Sequence, residues 1–330
     1  MKNYKVGILG ACGMVGGTML QVLKERNLPI SELYLFDVGS AVGKTVEFGG
    51  KTVTVEESSL DIFDRGIDFC LFAVDGPISK KYAPVAAEKG CIVVDNSSAW
   101  RMDDDVPLVV PEVNGADVFK NKGIIANPNC STIQAMVALN PLHLVLGIRR
   151  VIYTTFQSVA GAGVAGIADL HRTLKGEEPQ CFPYPIAGNV IPRIDVCGDD
   201  GYTGEETKMI METRKILHAP DMKVTATTVR VPVEIGHSES INLTFDRAFE
   251  LEEIRKILES APGIIVQDDA KNDIYPTPRT IAGTDHVYVG RIRRDFSADN
   301  SINLWVVADN VRKGAATNAV QVVERLIKGE

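Results

Sequence analysis

Short apolar runs alternate with longer amphipathic segments through the first 130 residues. The runs are nearly all apolar, which is typical of strands buried on both faces of a parallel sheet. The helical pattern lies at 11–26 and 79–90. The predicted strands fall within 4–10, 30–37, 68–75, 91–97 and 122–130. This alternation predicts an α/β domain with a Rossmann-like, doubly wound parallel sheet.

Beyond residue 130 the apolar runs become longer and alternate with polar positions, as in strands with one buried face. These runs lie at 149–163, 223–245, 286–295 and 301–310, and a closing helix follows at 313–330. The second part is therefore predicted to be an α+β catalytic and dimerisation domain with a mixed sheet. We expect a dinucleotide-binding domain over 1–129 and a catalytic domain over 130–309, with the helix in 310–330 packing back on the first domain.

Composition excludes several classes of protein. The chain has 330 residues, enough for two domains, and a formal net charge of −8, which argues against nucleic acid as a partner. No apolar stretch approaches the roughly 20 residues of a membrane helix. The N-terminal segment lacks a signal-peptide cleavage site, so we expect a cytoplasmic protein. The six cysteines form no CxxC pair, which predicts free thiols and no metal site.

A glycine-rich turn follows the first predicted strand. Gly10, Gly13 and Gly16 recur every three residues and open the first helix, a spacing that differs from the usual GxGxxG. Glycines allow a tight turn and close backbone approach, and the helix start offers free N–H groups to a pyrophosphate. The motif predicts dinucleotide binding, with a simple glycine turn as the alternative.

Cofactor choice is expected to depend on the end of the second strand. An acidic residue there usually accepts from the ribose hydroxyls and repels a 2′-phosphate. Asp37 is that candidate, and Lys44 is the nearest cation that could meet a phosphate. A loop aspartate without a ligand is the alternative.

Cys130 lies in the stretch ANPNCSTIQAMVAL, at a predicted helix start. The helix dipole and unpaired N–H groups there stabilise a thiolate and can hold an oxyanion. Asn129 is suited to cap the helix or to donate to that oxyanion. The alternative is that Cys130 is only a small apolar side chain at a helix start.

A thiol beside a nicotinamide indicates attack on a carbonyl carbon followed by hydride transfer. This chemistry needs an acid or base. Of the five histidines, His237 is distinctive because it follows an alternating strand that Gly236 interrupts, with Arg230 earlier on that strand. His237 is therefore the candidate, although most histidines in proteins are not catalytic.

Six motifs carry a resemblance that covers nearly the whole chain. In chain order they are GACGMVGG, VPLVVPEVN, NPNCSTIQ, FQSVAGAG, VRVPVEIGHSES and ADNVRKGAATNAVQ. Together they resemble the aspartate-β-semialdehyde dehydrogenase family. The combination is far more specific than any single motif.

The resemblance implies NAD(P)-dependent reductive dephosphorylation of L-4-aspartyl phosphate to L-aspartate 4-semialdehyde. This step leads toward lysine and diaminopimelate, threonine and methionine. By the family pattern Cys130 is the nucleophile that forms a thioester, His237 is the acid/base, and Gln157 orients the acyl intermediate. The resemblance also implies a homodimer.

The substrate-binding residues implied are Arg230 on the α-carboxylate, Glu205 on the amine, and Lys208 and Arg101 on phosphate, with Asn129 beside the nucleophile. A planar guanidinium suits bidentate carboxylate binding. Local patterns leave alternatives open, because Glu205 and Lys208 could form an exposed ion pair and Arg101 could pair with aspartates 103–105. Thr203 and Glu206 predict a capping box, which gives Glu206 a structural role.

The cofactor-binding residues implied are Gly10, Cys12, Gly13, Met14, Val15, Gly16, Asp37 and Ser40, with Ala160, Gly161 and Asn310 near the nicotinamide. One departure concerns the loop after the second strand. NADP-using members of the family usually carry SARSAG there, whereas this chain has VGSAVG, with Ser40 in place of the arginine. The cofactor is thus NADP or NAD, and we expect NAD to be used at least comparably.

Two alternatives remain at this stage. One is another acyl-phosphate reductase, such as N-acetyl-glutamyl-phosphate reductase, although the pair of Glu205 and Arg230 favours a substrate with a free amine beside its carboxylate. The other is a non-catalytic dinucleotide-binding dimer. The joint presence of Cys130, Gln157, Arg230 and His237 argues against it.

Overall fold

The chain folds into two compact units in a computed structural model that describes residues 2–329. The first unit contains the described residues up to Pro128 and those from Ala315 onward, and the second unit is Asn129–Gly314. Asn129 and residues 310–314 thus belong to the second unit. Over residues 2–329, the helices lack the combination of length and hydropathy needed to cross a bilayer.

The elements are numbered in chain order. The strands are β1 Tyr4–Leu9, β2 Ile30–Asp37, β3 Thr45–Phe48, β4 Lys51–Glu57, β5 Phe69–Phe72, β6 Ile92–Asp95, β7 Ile124–Ala126, β8 Ile148–Gln157, β9 Lys223–Arg230, β10 His237–Phe245, β11 Ile264–Val266, β12 Val287–Arg294 and β13 Ser301–Ala308. The α-helices are α1 Met14–Arg26, α2 Gly76–Glu88, α3 Pro111–Asn114, α4 Cys130–Leu146, α5 Gly163–Leu174, α6 Gly204–Ile216, α7 Leu251–Ser260, α8 Pro278–Ile281 and α9 Thr317–Lys328.

The first unit contains a seven-stranded sheet in the order β3-β4-β2-β1-β5-β6-β7. All neighbours are parallel except β3 and β4, which form an antiparallel hairpin. The predicted Rossmann-like parallel sheet is confirmed. The hairpin was not predicted, because its strands carry exposed polar residues. Gly49 and Gly50, both at positive φ, form its turn.

Helix α9 completes the core of the first unit. Its residues Ala319, Val320, Val322 and Val323 are fully buried in the same apolar cluster as the central strands β1 and β5. The Asn318 amide donates to the carbonyl of Val109 at 2.9 Å and to Oδ1 of Asn127 at 2.8 Å. Burial and these hydrogen bonds together hold the helix in place.

The second unit contains a six-stranded mixed sheet in the order β11-β12-β13-β10-β8-β9. The pairs β11–β12 and β8–β9 are parallel and the others antiparallel, which confirms the predicted mixed sheet. The apolar run at 223–245 divides into β9 and β10, and Gly236, at φ +96°, lies just before β10. Helix α4 packs on β8, β10 and β13.

Candidate active site

Helix α4 begins at Cys130 and is capped by Asn129. The side-chain Oδ1 of Asn129 accepts hydrogen bonds from the backbone N–H groups of Ser131 at 3.0 Å and Thr132 at 3.3 Å. The cap confirms the predicted helix start. It places the thiol at the positive end of the helix dipole, where a thiolate is stabilised.

His237 is the first residue of β10, and its Nε2 lies 3.2 Å from Sγ of Cys130. On the other side of the ring, Nδ1 accepts the backbone N–H of Ser158 at 3.0 Å. Since Nδ1 is an acceptor, the proton of the neutral imidazole is on Nε2 and faces the sulfur. Complete burial, aided by the positive charge of Arg230, holds the pKa of His237 well below its ordinary value.

Ser158 and Asn310 fix the position of the imidazole. The Ser158 hydroxyl donates to Oδ1 of Asn310 at 2.9 Å and lies 3.2 Å from Nδ1 of His237. The same Asn310 oxygen accepts the backbone N–H of Gly236 at 2.8 Å. Ser158 was not singled out from the sequence, although it directly follows Gln157.

Glu205 joins three predicted site residues. Its Oε1 accepts from Nδ2 of Asn129 at 2.8 Å and from Nε2 of Gln157 at 3.2 Å, and its Oε2 pairs with Lys208 at 3.3 Å. The Gln157 amide also donates to the Ser131 hydroxyl at 2.7 Å. Because the Glu205 side chain is buried, the pair with Lys208 is not the exposed ion pair that pattern alone favoured.

Helix α6 supplies both acidic groups that contact Asn129. The predicted capping box is confirmed, since the Glu206 N–H donates to Thr203 Oγ1 and the Thr203 N–H donates to a Glu206 oxygen. Two turns further along α6, buried Glu212 accepts the backbone N–H of Asn129 at 2.7 Å. Glu212 was missed, although its spacing of seven from Glu205 places both on one face.

Arg230 ends β9, directly beside Gln157 in the parallel register. Its Nη1 donates to the carbonyl of Ser158 at 2.6 Å. Burial lowers the pKa of Arg230, and the nearby Cys130 and Glu205 oppose that shift. A Cβ on Gly161 would lie 2.6 Å from this Nη1, so a side chain there would displace the Arg230 guanidinium from this position.

A cavity of about 490 Å³ opens beside Arg230. It is lined by Ala162, Cys181, Phe182, Pro183, Arg193, Ile194, Asp195 and Arg230. Ala160 and Gly161 lie in the turn just before Ala162, where the Ala160 N–H donates to the carbonyl of Glu234. Arginines and a tightly turned backbone suit the binding of a small anionic molecule.

In the first unit, the glycine turn between β1 and α1 fits a dinucleotide phosphate. Gly10 has φ +82°, and a Cβ there would lie 2.5 Å from the carbonyl oxygen of Ala73, while one at Gly16 would lie 2.1 Å from that of Gly10. Gly13 is the N-cap of α1, and neither a capping side chain nor an acidic residue occupies the first turn, which includes Met14 and Val15. The helix start therefore offers N–H groups to an anion.

Asp37, at the end of β2, holds this glycine turn. Its Oδ2 accepts the backbone N–H of Cys12 at 2.7 Å, and its Oδ1 accepts that of Val38 at 2.9 Å. Burial, followed by the Asp37 charge, raises the pKa of the Cys12 thiol. Ser40 lies in the exposed turn that follows, and Lys44 is also exposed.

Arg101 belongs to the first unit and is buried there. Its Nε donates to the carbonyl of Asn127 at 3.0 Å, and its Nη2 donates to that of Asn96 at 3.0 Å. Arg101 is thus the one predicted catalytic or substrate residue that lies in the first unit, where backbone carbonyls hold it. The other predicted catalytic and substrate residues lie in the second unit.

Two family profiles match the two parts of the chain. Residues 5–121 match the semialdehyde dehydrogenase NAD binding domain, and residues 139–313 match the semialdehyde dehydrogenase dimerisation domain. Together they define the class: an oxidoreductase of the semialdehyde dehydrogenase type, with a dinucleotide-binding unit and a second, mixed-sheet unit.

Individual relatives narrow the class. Aspartate-semialdehyde dehydrogenase from Aquifex aeolicus is 52% identical, covering 99% of this chain and 98% of that one, and the enzyme from Bacillus subtilis is 45% identical with the same coverage. A crystal structure of aspartate semialdehyde dehydrogenase II from Vibrio cholerae, complexed with ASA, is 47% identical with a TM-score of 0.95 and 99% coverage of both chains. The chain belongs to the aspartate-semialdehyde dehydrogenase family.

A more distant structure bears on the cofactor. The aspartate semialdehyde dehydrogenase from Candida albicans, with NADP, is 27% identical with a TM-score of 0.76 and covers 99% of each chain. With the NAD binding profile over residues 5–121, it supports a nicotinamide dinucleotide as the cofactor.

Proposed function

We propose that this protein converts L-4-aspartyl phosphate to L-aspartate 4-semialdehyde by reductive dephosphorylation, through a thioester on Cys130. This reaction leads toward lysine by way of diaminopimelate, and toward threonine and methionine. The observation that carries the proposal is the 3.2 Å contact between Sγ of Cys130 and Nε2 of His237 at the capped start of α4. A thiol so placed is suited to acyl transfer.

In the first step the Cys130 thiolate attacks the acyl carbon. The C–S bond forms, the bond from carbon to the phosphate oxygen breaks, and phosphate leaves with that electron pair. The positive end of the α4 helix dipole stabilises the developing oxyanion. Gln157, held by Ser131 and Glu205, orients the acyl group.

The second step reduces the thioester. The bound nicotinamide supplies the hydride for this step. His237 donates a hydrogen bond from its Nε2–H to the carbonyl oxygen, which becomes the oxyanion of the thiohemiacetal on Cys130. As this oxyanion forms the C=O bond again, the C–S bond breaks with its electron pair on sulfur, and aldehyde and thiolate separate.

Charged side chains provide recognition of the amino acid. Arg230 would bind the α-carboxylate through its planar guanidinium, and Glu205 would bind the ammonium group. Lys208 and Arg101 would bind phosphate. A buried carboxylate at Glu205 favours a free amine over an N-acetylated one, because an amide carries no charge to pair with it.

For the cofactor, we propose that NAD is used at least as well as NADP. The loop 38–43 contains no cation, and Asp37 places a carboxylate at the end of β2. A 2′-phosphate would meet this negative charge. The ratio of kcat/KM for the two cofactors tests the proposal, and a large advantage for NADP would contradict it.

The reverse reaction tests the function directly. Purified protein is given aspartate semialdehyde and phosphate, with NAD or NADP in parallel, and reduced cofactor is followed. We expect phosphate-dependent reduction that falls at least about 10³-fold in Cys130→Ala, while Cys197→Ala, at an exposed free thiol in the same unit, keeps its rate. No reduction with either cofactor would contradict the proposal, and activity on N-acetylated substrates would then indicate the alternative reductase.

We further propose that the protein acts as a homodimer in the cytoplasm. The match of residues 139–313 to a dimerisation domain supports the dimer. A reducing compartment suits a catalytic thiol and five further free cysteines.

A further inference from the structure

Glu239 is a fully buried carboxyl group that the proposed mechanism does not use. It lies on β10, two residues after His237, with 0% exposure. Among the described residues it has no hydrogen-bond partner on either carboxyl oxygen. A buried carboxylate without a partner is costly, so the group calls for an explanation.

Gln134 lies beside Glu239 and joins the two catalytic elements. It is on α4, one turn after Cys130, and its Nε2 donates to the backbone carbonyl of His237 at 3.3 Å. This hydrogen bond ties the helix that carries the nucleophile to the strand that carries the acid/base. The other end of the same amide, Oε1, is buried and has no donor.

The electrostatic surroundings favour a neutral Glu239. Burial raises its pKa well above the ordinary value, and the nearby Gln134 amide only partly opposes this. The neighbouring titratable group is Tyr153 on β8, whose pKa burial also raises. His237 lies two residues earlier on the same strand, and burial lowers its pKa. Strand β13, paired on the other side, contains no charged residue.

Two orientations of the Gln134 amide follow from the two states of Glu239. A carboxylate only accepts hydrogen bonds, so it would attract Nε2 of Gln134 away from the carbonyl of His237. A carboxylic acid can donate its proton to Oε1 instead. In the observed orientation of the amide, Nε2 of Gln134 donates to the carbonyl of His237, which is the orientation expected beside a neutral Glu239. Carboxylic acids kept neutral by apolar surroundings are known in enzymes.

We propose that Glu239 is a positioning residue: as the neutral acid it donates to Oε1 of Gln134, which holds the amide on the carbonyl of His237 and fixes the spacing between His237 and Cys130. The proposal rests on the proposed function only for its kinetic readout. The protonation of Glu239 is measurable without any substrate.

Three variants test the role. Glu239→Leu removes the donor, and we expect kcat to fall at least about tenfold while KM stays within about twofold. Glu239→Gln retains a donor for Oε1 and should restore most of kcat. Thr155→Val is the matched control, because it removes a buried hydroxyl from the residue paired with Glu239 in β8 and should behave as wild type.

Gln134→Leu should resemble Glu239→Leu, and the double variant should be no worse than either, since both act through one hydrogen bond. The pH dependence of Cys130 alkylation should shift in both variants and remain unchanged in Thr155→Val. A Glu239→Leu enzyme with wild-type kcat, or a Glu239→Gln enzyme as impaired as Glu239→Leu, would overturn the proposal.

Infrared difference spectroscopy gives a readout independent of turnover. The wild-type minus Glu239→Gln spectrum near pH 8 should show the carbonyl band of a protonated carboxylic acid. Its absence would overturn the inference even if the Leu variant failed to fold. If the band is present but no aspartyl substrate reacts, the proposed function fails and the protonation of Glu239 stands.

Discussion

At the scale of single residues, the backbone N–H of Ser158 determines which ring nitrogen of His237 carries the proton. The N–H occupies Nδ1, so the neutral ring carries its proton on Nε2, 3.2 Å from the Cys130 sulfur. A second proton could bind only at Nδ1, at the expense of that hydrogen bond. His237 is therefore suited to donate a hydrogen bond from Nε2 to the sulfur or to the carbonyl oxygen, and less suited to take the thiol proton.

The charge of Arg230 provides a test of the causes that lower the pKa of His237. Arg230 disfavours the imidazolium form, so replacing it by methionine should raise the pKa of His237. The pKa should remain below the ordinary value, because burial is the larger cause. NMR titration of the imidazole nitrogens measures the shift. Arg193→Met, in the same cavity, is the matched control, and an unchanged or lower pKa in Arg230→Met would contradict the assignment.

Glu239 should lower the free energy of unfolding at high pH. Its folded pKa is raised, so above the unfolded pKa of about 4.3 folding must take up a proton, and stability falls as pH rises. The slope is at most about 1.4 kcal/mol per pH unit. Glu239→Gln removes this term, so its stability advantage over wild type should be larger at pH 8 than at pH 5. Urea unfolding at both pH values measures the difference, and an equal difference at both would contradict it.

Single residues of the site were predictable to different degrees from the sequence. Cys130 and Asn129 follow from local helix-start chemistry, and the capping box from Thr203 to Glu206 is equally local. His237 is 107 residues from Cys130, so the strand pattern made it only a candidate, and the resemblance to a family gave the stronger link to Cys130. Ser158 contacts His237 through its backbone N–H, which no sequence pattern marks, and its hydroxyl reaches Asn310 only through the fold.

At the scale of elements, the start of α4 is where helix stability and the proposed catalysis would depend on the same side chain. Asn129 caps the helix and also donates to Glu205. We expect Asn129→Ala to lower the free energy of unfolding by about 1 kcal/mol through the lost cap and also to reduce kcat. Thr203→Ala removes the cap of α6 and is the comparison.

The two variants separate the two effects. Unfolding and kcat measured together should show a similar loss of stability in both, with the larger loss of kcat in Asn129→Ala. Equal losses of kcat would indicate that Asn129 acts only through the stability of its helix.

Elements with continuous apolar runs were predicted correctly, whereas those governed by tertiary contacts were not. Strand β5 is buried at all four positions, and its sequence is almost wholly apolar. Strands β3 and β4 carry threonine, lysine and glutamate on exposed positions, so their periodicity is weak. The division of 223–245 into two strands depends on the turn before His237, where Gly236 adopts a positive φ.

At the scale of the whole molecule, the second sheet has one face that its own unit covers incompletely. Along β8 the residues facing α4 are fully buried, whereas Ile152, Thr154 and Phe156 on the opposite face are only half-buried. Such a face is suited to pair with a second copy. We expect a species of twice the chain mass of 35.8 kDa in sedimentation velocity.

Ile152→Glu tests which face is involved. A charge at the centre of this face should shift the sedimenting species toward the monomer, because an unpaired buried charge opposes association. Leu144→Glu, at an exposed position of α4, is the control and should leave the species unchanged. A dimer that survives Ile152→Glu would place the interface elsewhere.

The packing of α9 has a consequence for how the chain is made. Its buried valines belong to the core of the first unit, yet the whole of Asn129–Gly314 precedes them in the chain. During synthesis the first unit emerges early but lacks part of its core until residues 315–329 leave the ribosome, after the second unit is complete. The main part of the dinucleotide-binding unit is thus translated before the second unit, yet its core closes after it. The apolar surface on which α9 docks stays open for the time the ribosome needs to make the second unit.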